Sequence, residues 1–426
     1  MVLPTMAEMA EKKGIDLLAT GDFTHPLWVK ELESQLQETA EGIYILKGDG
    51  NKNRKARYIL GTEISCIYSQ GDKGRRVHVL VFAPNLEIVH KINQAMKERG
   101  CNLMSDGRPI IGLSVVELCQ LLFEIDKDIV VIPAHVWTPW FSLYGSKSGF
   151  DSLEECFGKY AGRIFVVETG LSSDPAMNWR IKELDNRSIV SFSDAHSPAK
   201  LGRELTVFKR LPGGRGQGQE NFSYQDFRGT LRQKGDWRIA CTIEFYPEEG
   251  KYHYTGHRNC QIIQDPEETR KKGTTCPVCG RPLTIGVMHR VGQLAGREIK
   301  EVEIQTKRTD TGVRLISCPS RPAYIMLVPL LEVLGEVFEK GVSTVKVQTE
   351  YDRLVNQFGS ELKILTKISL ADLESISGPK LREAVEKVRK GDIFITPGYD
   401  GVFGTVKIWG KEEEEKRASK EQMSMF

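Results

Sequence analysis

No window of the 426-residue chain is apolar enough to cross a bilayer, and its first residues lack the basic-then-apolar pattern of an export signal. These absences speak against a membrane partner and make the cytoplasm the expected compartment. An excess of one charge is missing too: 59 basic against 57 acidic side chains leave a net +2. So even a balance says little about partners and leaves room for a local basic face. The nine cysteines, in a chain without an export signal, read as metal ligands rather than disulfides. The length exceeds one ordinary domain, so about two or three are expected.

What is present is an alternation. Strands are expected at 15–20, 58–64, 77–82, 129–134, 164–168 and 188–193, with helices at 27–39, 86–98, 115–124, 152–157 and 224–234. Regular βα alternation argues for a parallel sheet or barrel, an α/β fold. The chain opens on a helix instead, at 4–13, with Pro4 near its first turn and Gly14 as its stop.

Several of these runs end in acids and imidazoles. The run 188–192 leads into Ser193-Asp194-Ala195-His196, and residues two apart leave a strand on the same side. The run 15–20 leads to Asp22 and His25, 58–61 leads to Glu63, and 130–133 leads to His135. His78 lies within the run 76–82, whereas His90 falls on an expected helix surface and is set aside. Barrel sites gather at the carboxyl ends of strands. Carboxylates with imidazoles suit Zn²⁺, Mn²⁺ or Fe²⁺, with Mg²⁺ a further candidate, and a carboxylate such as Glu63 can bridge two ions. Adjacent ions lower the pKa of a shared water, neutralise a phosphodiester and steady its attacking and leaving oxygens. The residues therefore point to metal-dependent phosphoester hydrolysis and leave the substrate open.

The stretch 236–294 holds His257-Arg-Asn-Cys260 and Cys276-Pro-Val-Cys279-Gly280. Two pairs with knuckle spacing make a closed, structural zinc site. His253 in place of His257, and Cys241 or Cys318 in place of Cys260, are the alternatives. Arg258, Arg270, Lys271, Lys272, Arg281 and Arg290 give this stretch a basic surface. The stretch 295–410 reads as mostly helical, with two short helices joined at Gly378-Pro379. Lys380 beside the second helix start offers a phosphate contact, against the plainer reading of an ordinary turn. The tail 411–426 is a charged, mobile run ending in Gln422, Met423, Ser424, Met425 and Phe426.

Thr20-Gly-Asp22, Gly61-Thr-Glu63-Ile-Ser, Pro133-Ala-His135 and Ser193-Asp194-Ala-His196 resemble the successive motifs of the polymerase-and-histidinol-phosphatase (PHP) superfamily. Within it, the run 134–149, Glu168-Thr-Gly-Leu-Ser-Ser-Asp-Pro175 with Asn178-Trp179-Arg180, Pro247-Glu-Glu-Gly-Lys-Tyr-His253, the two cysteine pairs, and Gly398-Tyr-Asp-Gly-Val-Phe-Gly404 with Lys407-Ile-Trp409 resemble the endonuclease Q family. The resemblance implies a DNA-repair nuclease. It would cut duplex DNA on the 5′ side of a deaminated base (uracil, hypoxanthine, xanthine) or an abasic site by metal-activated water. It also implies a distorted PHP-type β/α barrel at 1–235, a zinc-binding module at 236–294, a mainly helical DNA-binding domain at 295–410 and a flexible tail at 411–426.

Carried over by motif, Glu63, His78 and His135 form one metal site. Glu63 bridges to a second that also uses Asp194, and His196 with His25 or Asp22 belongs to a third. Glu63, His135 and Asp194 are then the catalytic residues. The family opens with a strand and a His-x-His loop that this sequence does not show. The expectation is one complete site, two incomplete ones, and cleavage weakened until that segment is supplied. For the lesion pocket the expected residues are Trp137, Trp140, Phe141, Tyr144 and Lys147, then Ser172, Ser173, Asn178, Trp179 and Arg180. Aromatics would stack on an extruded base, and Ser and Asn would bond its keto edge. Residues 422–426 resemble the peptide by which bacterial repair and replication proteins dock on the β sliding clamp, with methionine at both leucine positions. Two other readings remain: a PHP-type small-molecule phosphoesterase, and a lesion-binding, clamp-tethered protein of weakened catalysis.

Overall fold

The first helix forms where its punctuation places it. α1 (Leu3–Lys13) carries Pro4 in its first turn and stops at Gly14, whose φ of 86° turns its N–H back onto the carbonyls of Ala10 and Glu11. Leu3, Met6, Ala7 and Ala10 form its buried face. This computed structural model describes residues 1–48, 56–105, 108–213 and 222–410. The tail, with the clamp-like peptide 422–426, lies outside the described residues.

After α1 come β1 (Leu17–Ala19), α2 (Pro26–Gln35), β2 (Leu36–Ala40), β3 (Ile43–Leu46), β4 (Arg57–Ile59), β5 (Gly61–Gln70) and β6 (Lys73–Phe82). Next are α3 (Leu86–Glu98), β7 (Ile110–Ile111), α4 (Val115–Ile125), β8 (Val130–Pro133), α5 (Leu153–Phe157), β9 (Val166–Glu168), α6 (Pro175–Asn178) and β10 (Ser188–Val190). All six expected strands are present, but the sheets are mixed rather than parallel. β1 runs parallel to β4, while β2, β3 and β4 pair antiparallel. β5 and β6 form a long antiparallel hairpin, unlike the parallel pairing expected of a βα alternation. Its turn, Gly71-Asp72, has both residues left-handed (φ 59° and 58°), which matches the twist of an antiparallel pair. β6 pairs antiparallel with β8, and β9 runs parallel to β10. The helix expected over 27–39 ends at Gln35, because Leu36 is extended and its segment pairs with β3.

The chain continues through β11 (Leu205–Arg210), α7 (Tyr224–Leu231) and β12 (Trp237–Glu244). β13 (Thr255–His257), β14 (Ile262–Gln264), α8 (Pro266–Lys272) and α9 (Val287–Leu294) follow. Then come β15 (Gln305–Arg308), β16 (Arg314–Ser317) and β17 (Ala323–Met326). The last part is α10 (Leu330–Phe338), α11 (Val345–Phe358), α12 (Glu361–Thr366), α13 (Leu370–Lys390), β18 (Phe394–Thr396) and β19 (Thr405–Lys407). A five-stranded sheet in the order β11-β12-β17-β16-β15 draws on all three expected stretches, and β11 pairs with β12 across the boundary placed at 235. The stretch 295–410 is therefore stranded before it becomes helical.

Leu330, Val333, Leu334, Leu354, Ile364, Leu373, Ala384 and Val388 build the core of the helical part. α13 breaks at Gly378 (φ 79°, ψ 175°), so the expected pair of helices joined by a glycine turn is there. Lys380 is engaged by Glu339 at 3.0 Å. α1 docks against this part through a buried ion pair, Lys13 Nζ to Glu361 Oε2 at 2.6 Å.

Candidate metal centre and the cavity around it

The hairpin register places the first two ligand candidates. Glu63 of β5 stands opposite Leu80, and Ser65 opposite His78 of β6. Glu63 and His78 are thus diagonal neighbours on one face, within reach of each other. β8 lies on the other side of β6, and Ala134 N–H donates to the His78 carbonyl at 3.0 Å, which delivers His135 beside them. His78 Nδ1 lies 2.9 Å from Glu63 Oε1, His135 Nε2 lies 3.3 Å from the same oxygen, and the two ring nitrogens are 3.1 Å apart. Thr138 Oγ1 sits 3.2 Å from His135 Nδ1, and the His135 N–H donates to Glu168 Oε2 at 2.8 Å. Phe141 backs the His78 ring at 4.8 Å between centroids.

One oxygen therefore faces two imidazole nitrogens with all three donor atoms within 4.8 Å of one another, which suits Zn²⁺, Mn²⁺ or Fe²⁺. A fourth group reaches the same spot. Arg108 Nη1 lies 2.5 Å from Glu63 Oε1 and 3.1 Å from His78 Nδ1. Nothing in the sequence pattern flags Arg108. It is brought in by the two-residue strand β7, which runs parallel to β5, with Ser65 N–H donating to the Pro109 carbonyl.

Burial pushes the Glu63 carboxyl up, but hydrogen bonds from His135 and His78 and the Arg108 charge outweigh it and hold Glu63 well below 4.5. Burial likewise lowers His78, and there it wins over the pull of Glu63. His135 is buried too, yet the Glu63 bond and the charges of Glu63, Glu168 and Asp194 raise it. Asp22 and Asp194 are both raised, first by burial and then by the Glu63 charge. Burial carries Glu168 up to about 8. The pocket thus collects more acid than its own histidines and arginine balance, which is what a divalent cation would relieve.

Asp22, His25, Asp194 and His196 do not join the tight trio. They line the same cavity of about 1990 Å³, as do Glu63, Arg108, His135 and Glu168. The His196 side chain is 74% exposed, with Nδ1 2.9 Å from the Asp194 carbonyl, so it turns back on its own loop. His25 stands at the N-cap of α2. The seven expected ligands resolve into three in contact and four on the surrounding wall.

None of the ten expected lesion-pocket residues lines this cavity. Trp137, Tyr144, Ser173, Asn178 and Trp179 are buried in the core instead. Trp137 Nε1 donates to Asn178 Oδ1 at 2.8 Å, Asn178 Nδ2 donates to Ser173 Oγ at 3.2 Å, and Ser173 Oγ donates to the Thr169 carbonyl. Tyr144 stacks on Trp137 and donates to Glu183, and Trp179 packs edge-on against Tyr324. Trp137, Asn178 and Ser173 thus spend polar atoms on one another and on the backbone, and Tyr144 spends its hydroxyl on Glu183. Ser172 is half-buried, Arg180 approaches Glu298 at 4.0 Å, and Lys147 is exposed. Trp140 meets Tyr252 edge-on at 5.4 Å.

The second ligand set is compact. His257, Cys260, Cys276 and Cys279 bring their donor atoms within 4.8 Å of one another. His257 ends β13, and the Cys276–Cys279 turn closes through Gly280 N–H onto the Cys276 carbonyl, with Gly280 at φ 70°. Burial pushes the Cys276 thiol up, but the backbone of Cys279, the His257 ring and the backbone of Val278 hold it down at about 6. Three sulfurs and one imidazole, with no open position, fit a structural Zn²⁺. The alternatives fall away on position: His253 is buried against Tyr254, Cys241 lies on β12, and Cys318 follows β16.

A family model described as the MJ0043 C-terminal domain matches residues 329–392. The uncharacterized protein YqxK of Bacillus subtilis is 29% identical over 406 residues, covering 94% of this chain and 91% of the relative. The uncharacterized protein MJ0043 of Methanocaldococcus jannaschii is 31% identical over 306 residues, 69% of this chain, which spans about a third (35%) of that relative. Among solved structures, the lesion-specific endonuclease PfuEndoQ from Pyrococcus furiosus superposes with a TM-score of 0.78 at 28% identity, over 98% of this chain and 94% of that one. Endonuclease Q in complex with a 27-mer duplex substrate carrying an abasic lesion at the active site gives 0.78 at 29% identity, over 97% and 93%. Backbone and sequence agree over nearly the whole length, and the chain is similar throughout to these endonuclease Q structures.

Proposed function

We propose that this protein is a metal-dependent DNA-repair endonuclease that hydrolyses the phosphodiester 5′ to a deaminated base or an abasic site in duplex DNA. The observation that carries the reading is the convergence of Glu63, His78 and His135 on one point of a cavity wall that also holds Asp22 and Asp194. The likeness to a nuclease solved with an abasic duplex at its active site supports the substrate class.

Glu63, His78 and His135 would hold the cation, with Asp194 and Asp22 supplying further carboxylates on the same wall. A divalent ion bound there would supply an activated water and neutralise the phosphodiester. The remaining work falls to the chain. His78 favours its neutral form, the form in which an imidazole binds a metal. Thr138 and Glu168 fix the two sides of His135, one at its ring and one at its backbone N–H. Arg108 lies on the cavity wall, where a guanidinium can take two phosphate oxygens. The barrel of PHP type and the zinc-binding role of His257, Cys260, Cys276 and Cys279 belong to the same proposal.

The test is a nicking assay on labelled duplexes with one uracil, hypoxanthine, xanthine or abasic site each, with Mn²⁺, Mg²⁺ or Zn²⁺ and with the metal removed. A cut on the 5′ side of the lesion that needs added metal is the expected result. Hydrolysis of p-nitrophenyl phosphate with every duplex left intact would replace this reading with a small-molecule phosphoesterase.

A further inference from the structure

The hairpin β18–β19 ends in a loop that the metal chemistry leaves unused. Tyr399 and Val402 exchange both backbone hydrogen bonds (3.0 and 2.8 Å), and Asp400 and Gly401 between them are left-handed at φ 41° and 88°. That is a tight two-residue turn. Its backbone is bolted down on two sides. Gly398, Gly401 and Gly404 N–H groups donate to the carbonyls of Glu248, Lys251 and Glu249 at 2.8–2.9 Å, and Tyr254 N–H donates to the Gly398 carbonyl. Asp400 Oδ2 accepts from Arg258 N–H at 2.7 Å, at the start of the turn that carries Cys260. A side chain at Gly398 would strike the Gly250 carbonyl, and one at Gly404 the Glu248 carbonyl. So the loop is rigid by construction.

Yet this fixed loop holds apolar side chains in water. Phe403 is 62% exposed and Val402 39%. The Lys251 ammonium lies 4.5 Å from the Phe403 ring centre, and exposed Arg258 flanks the turn. A chain of ring contacts leads from the metal centre toward it: Phe141 lies 4.8 Å from the His78 ring, its neighbour Trp140 meets Tyr252, and Tyr252 follows Lys251 in the adjoining backbone. A rigidly held aromatic with one cation on its ring and another beside its turn suits a base step and its flanking phosphates.

Building on the nuclease reading, we infer that the Val402–Phe403 tip is a wedge for DNA. Phe403 enters the stack beside the damaged nucleotide, and Lys251 and Arg258 take the flanking phosphates. Phe403 occupies the space an extruded base leaves, a part the buried Trp137 and Trp179 cannot play.

The test uses the full chain in a Glu63→Gln background, so that DNA is bound but not cut. The probes are an abasic duplex with 2-aminopurine next to the lesion and its undamaged counterpart. The parent should bind the abasic duplex and raise the 2-aminopurine signal. Phe403→Ala should abolish the rise and weaken abasic-duplex binding about tenfold, the scale of one lost base–aromatic stack. Phe403→Trp should restore both. Lys251→Ala should keep the rise and reduce the salt slope of binding by about one. Unchanged zinc content and melting temperature verify folding. A parent that binds no duplex defeats the nuclease reading and the wedge with it. A parent that binds, with Phe403→Ala giving the same signal and affinity, or losing equal affinity for the undamaged duplex, defeats the wedge alone.

Discussion

Replacing Lys13 by methionine tests the joint between α1 and the helical part of the chain. The Lys13 side chain is 3% exposed and that of Glu361 5%, with their charged atoms 2.6 Å apart. Glu361 also accepts from Tyr351 OH at 2.9 Å and from Leu330 N–H at 3.1 Å, and Lys13 stands 5.6 Å over the Tyr351 ring. Removing one partner of a buried pair strands the other charge, at a cost of about 3–5 kcal/mol. The two remaining donors to Glu361 place the expected loss near the lower end, about 3 kcal/mol. In a chain of several parts a single unfolding free energy is not well defined, so a local readout is the right one. Amide exchange across Leu3–Lys13 should speed up about a hundredfold, since each 1.4 kcal/mol is a factor of ten. Lys13→Met with Glu361→Gln should recover most of that loss, because neither variant side chain is charged. α1 supplies Met6 and Glu11 to the cavity wall and the other side supplies Thr311, Lys363 and Thr366, so the loosened joint opens that wall as well. Exchange in Lys13→Met indistinguishable from the parent, or a double variant no better than the single, would refute the argument.

Glu63→Gln should abolish nicking and lower the affinity of the trio for Mn²⁺ or Zn²⁺, measured by calorimetry; metal binding as tight as in the parent would remove Glu63 from the site. Cys276→Ser should cost the protein one bound zinc in elemental analysis, whereas Cys241→Ser and Cys318→Ser should keep it. Glu244 is buried, which raises its carboxyl to about 8 despite hydrogen bonds from Thr242, Ser191 and Thr169. A carboxyl raised above its ordinary 4.5 gives stability that is fully present below 4.5 and lost as pH rises through about 8. Glu244→Gln should therefore flatten the fall in melting temperature between those values, leaving the shares that belong to Glu168, Glu204 and the other raised carboxyls; an unchanged slope would count against a protonated Glu244.

Local signals were enough for many of the elements and for the three residues that converge at the cavity. α3 has the bounds expected of it because Asn85 caps it, accepting from Ile88 N–H, while Ile88, Val89, Ile92 and Met96 repeat at helical spacing. β6 and β8 carry runs of buried Val and Ile, the composition of buried strands. What pairs with what was not legible. β11 and β12 sit on either side of the boundary expected at 235, and only the sheet shows that they belong together. Nor was the fate of an aromatic next to a ligand: Trp137 and Phe141 lie in the same loop, yet one donates to Asn178 in the core and the other faces His78. Arg108 escaped notice because a lone arginine before a two-residue strand carries no periodicity at all.

The site has one further property that composition cannot express. Asp22, His135 and Asp194 all adopt left-handed backbone, at φ 44°, 29° and 42°. Such conformations cost of order 1–3 kcal/mol each for a residue with a side chain, and persist only where the surroundings impose them. At His135 the surroundings can be named. Its N–H is held by Glu168, its following residue Val136 donates to the Glu168 carbonyl at 3.1 Å, and Gly170 (φ 59°) lies so close to its Cβ that no side chain would fit there. A carboxylate raised to about 8 by burial, a glycine and a strained histidine thus form one device at the end of β9. Its effect is to aim the His135 ring at Glu63 and His78 rather than let it relax into the core. Packing alone would not select that arrangement, since an unstrained backbone would be more stable. Strain kept at three carboxylate or imidazole positions around one cavity is the mark of a site preserved for its chemistry.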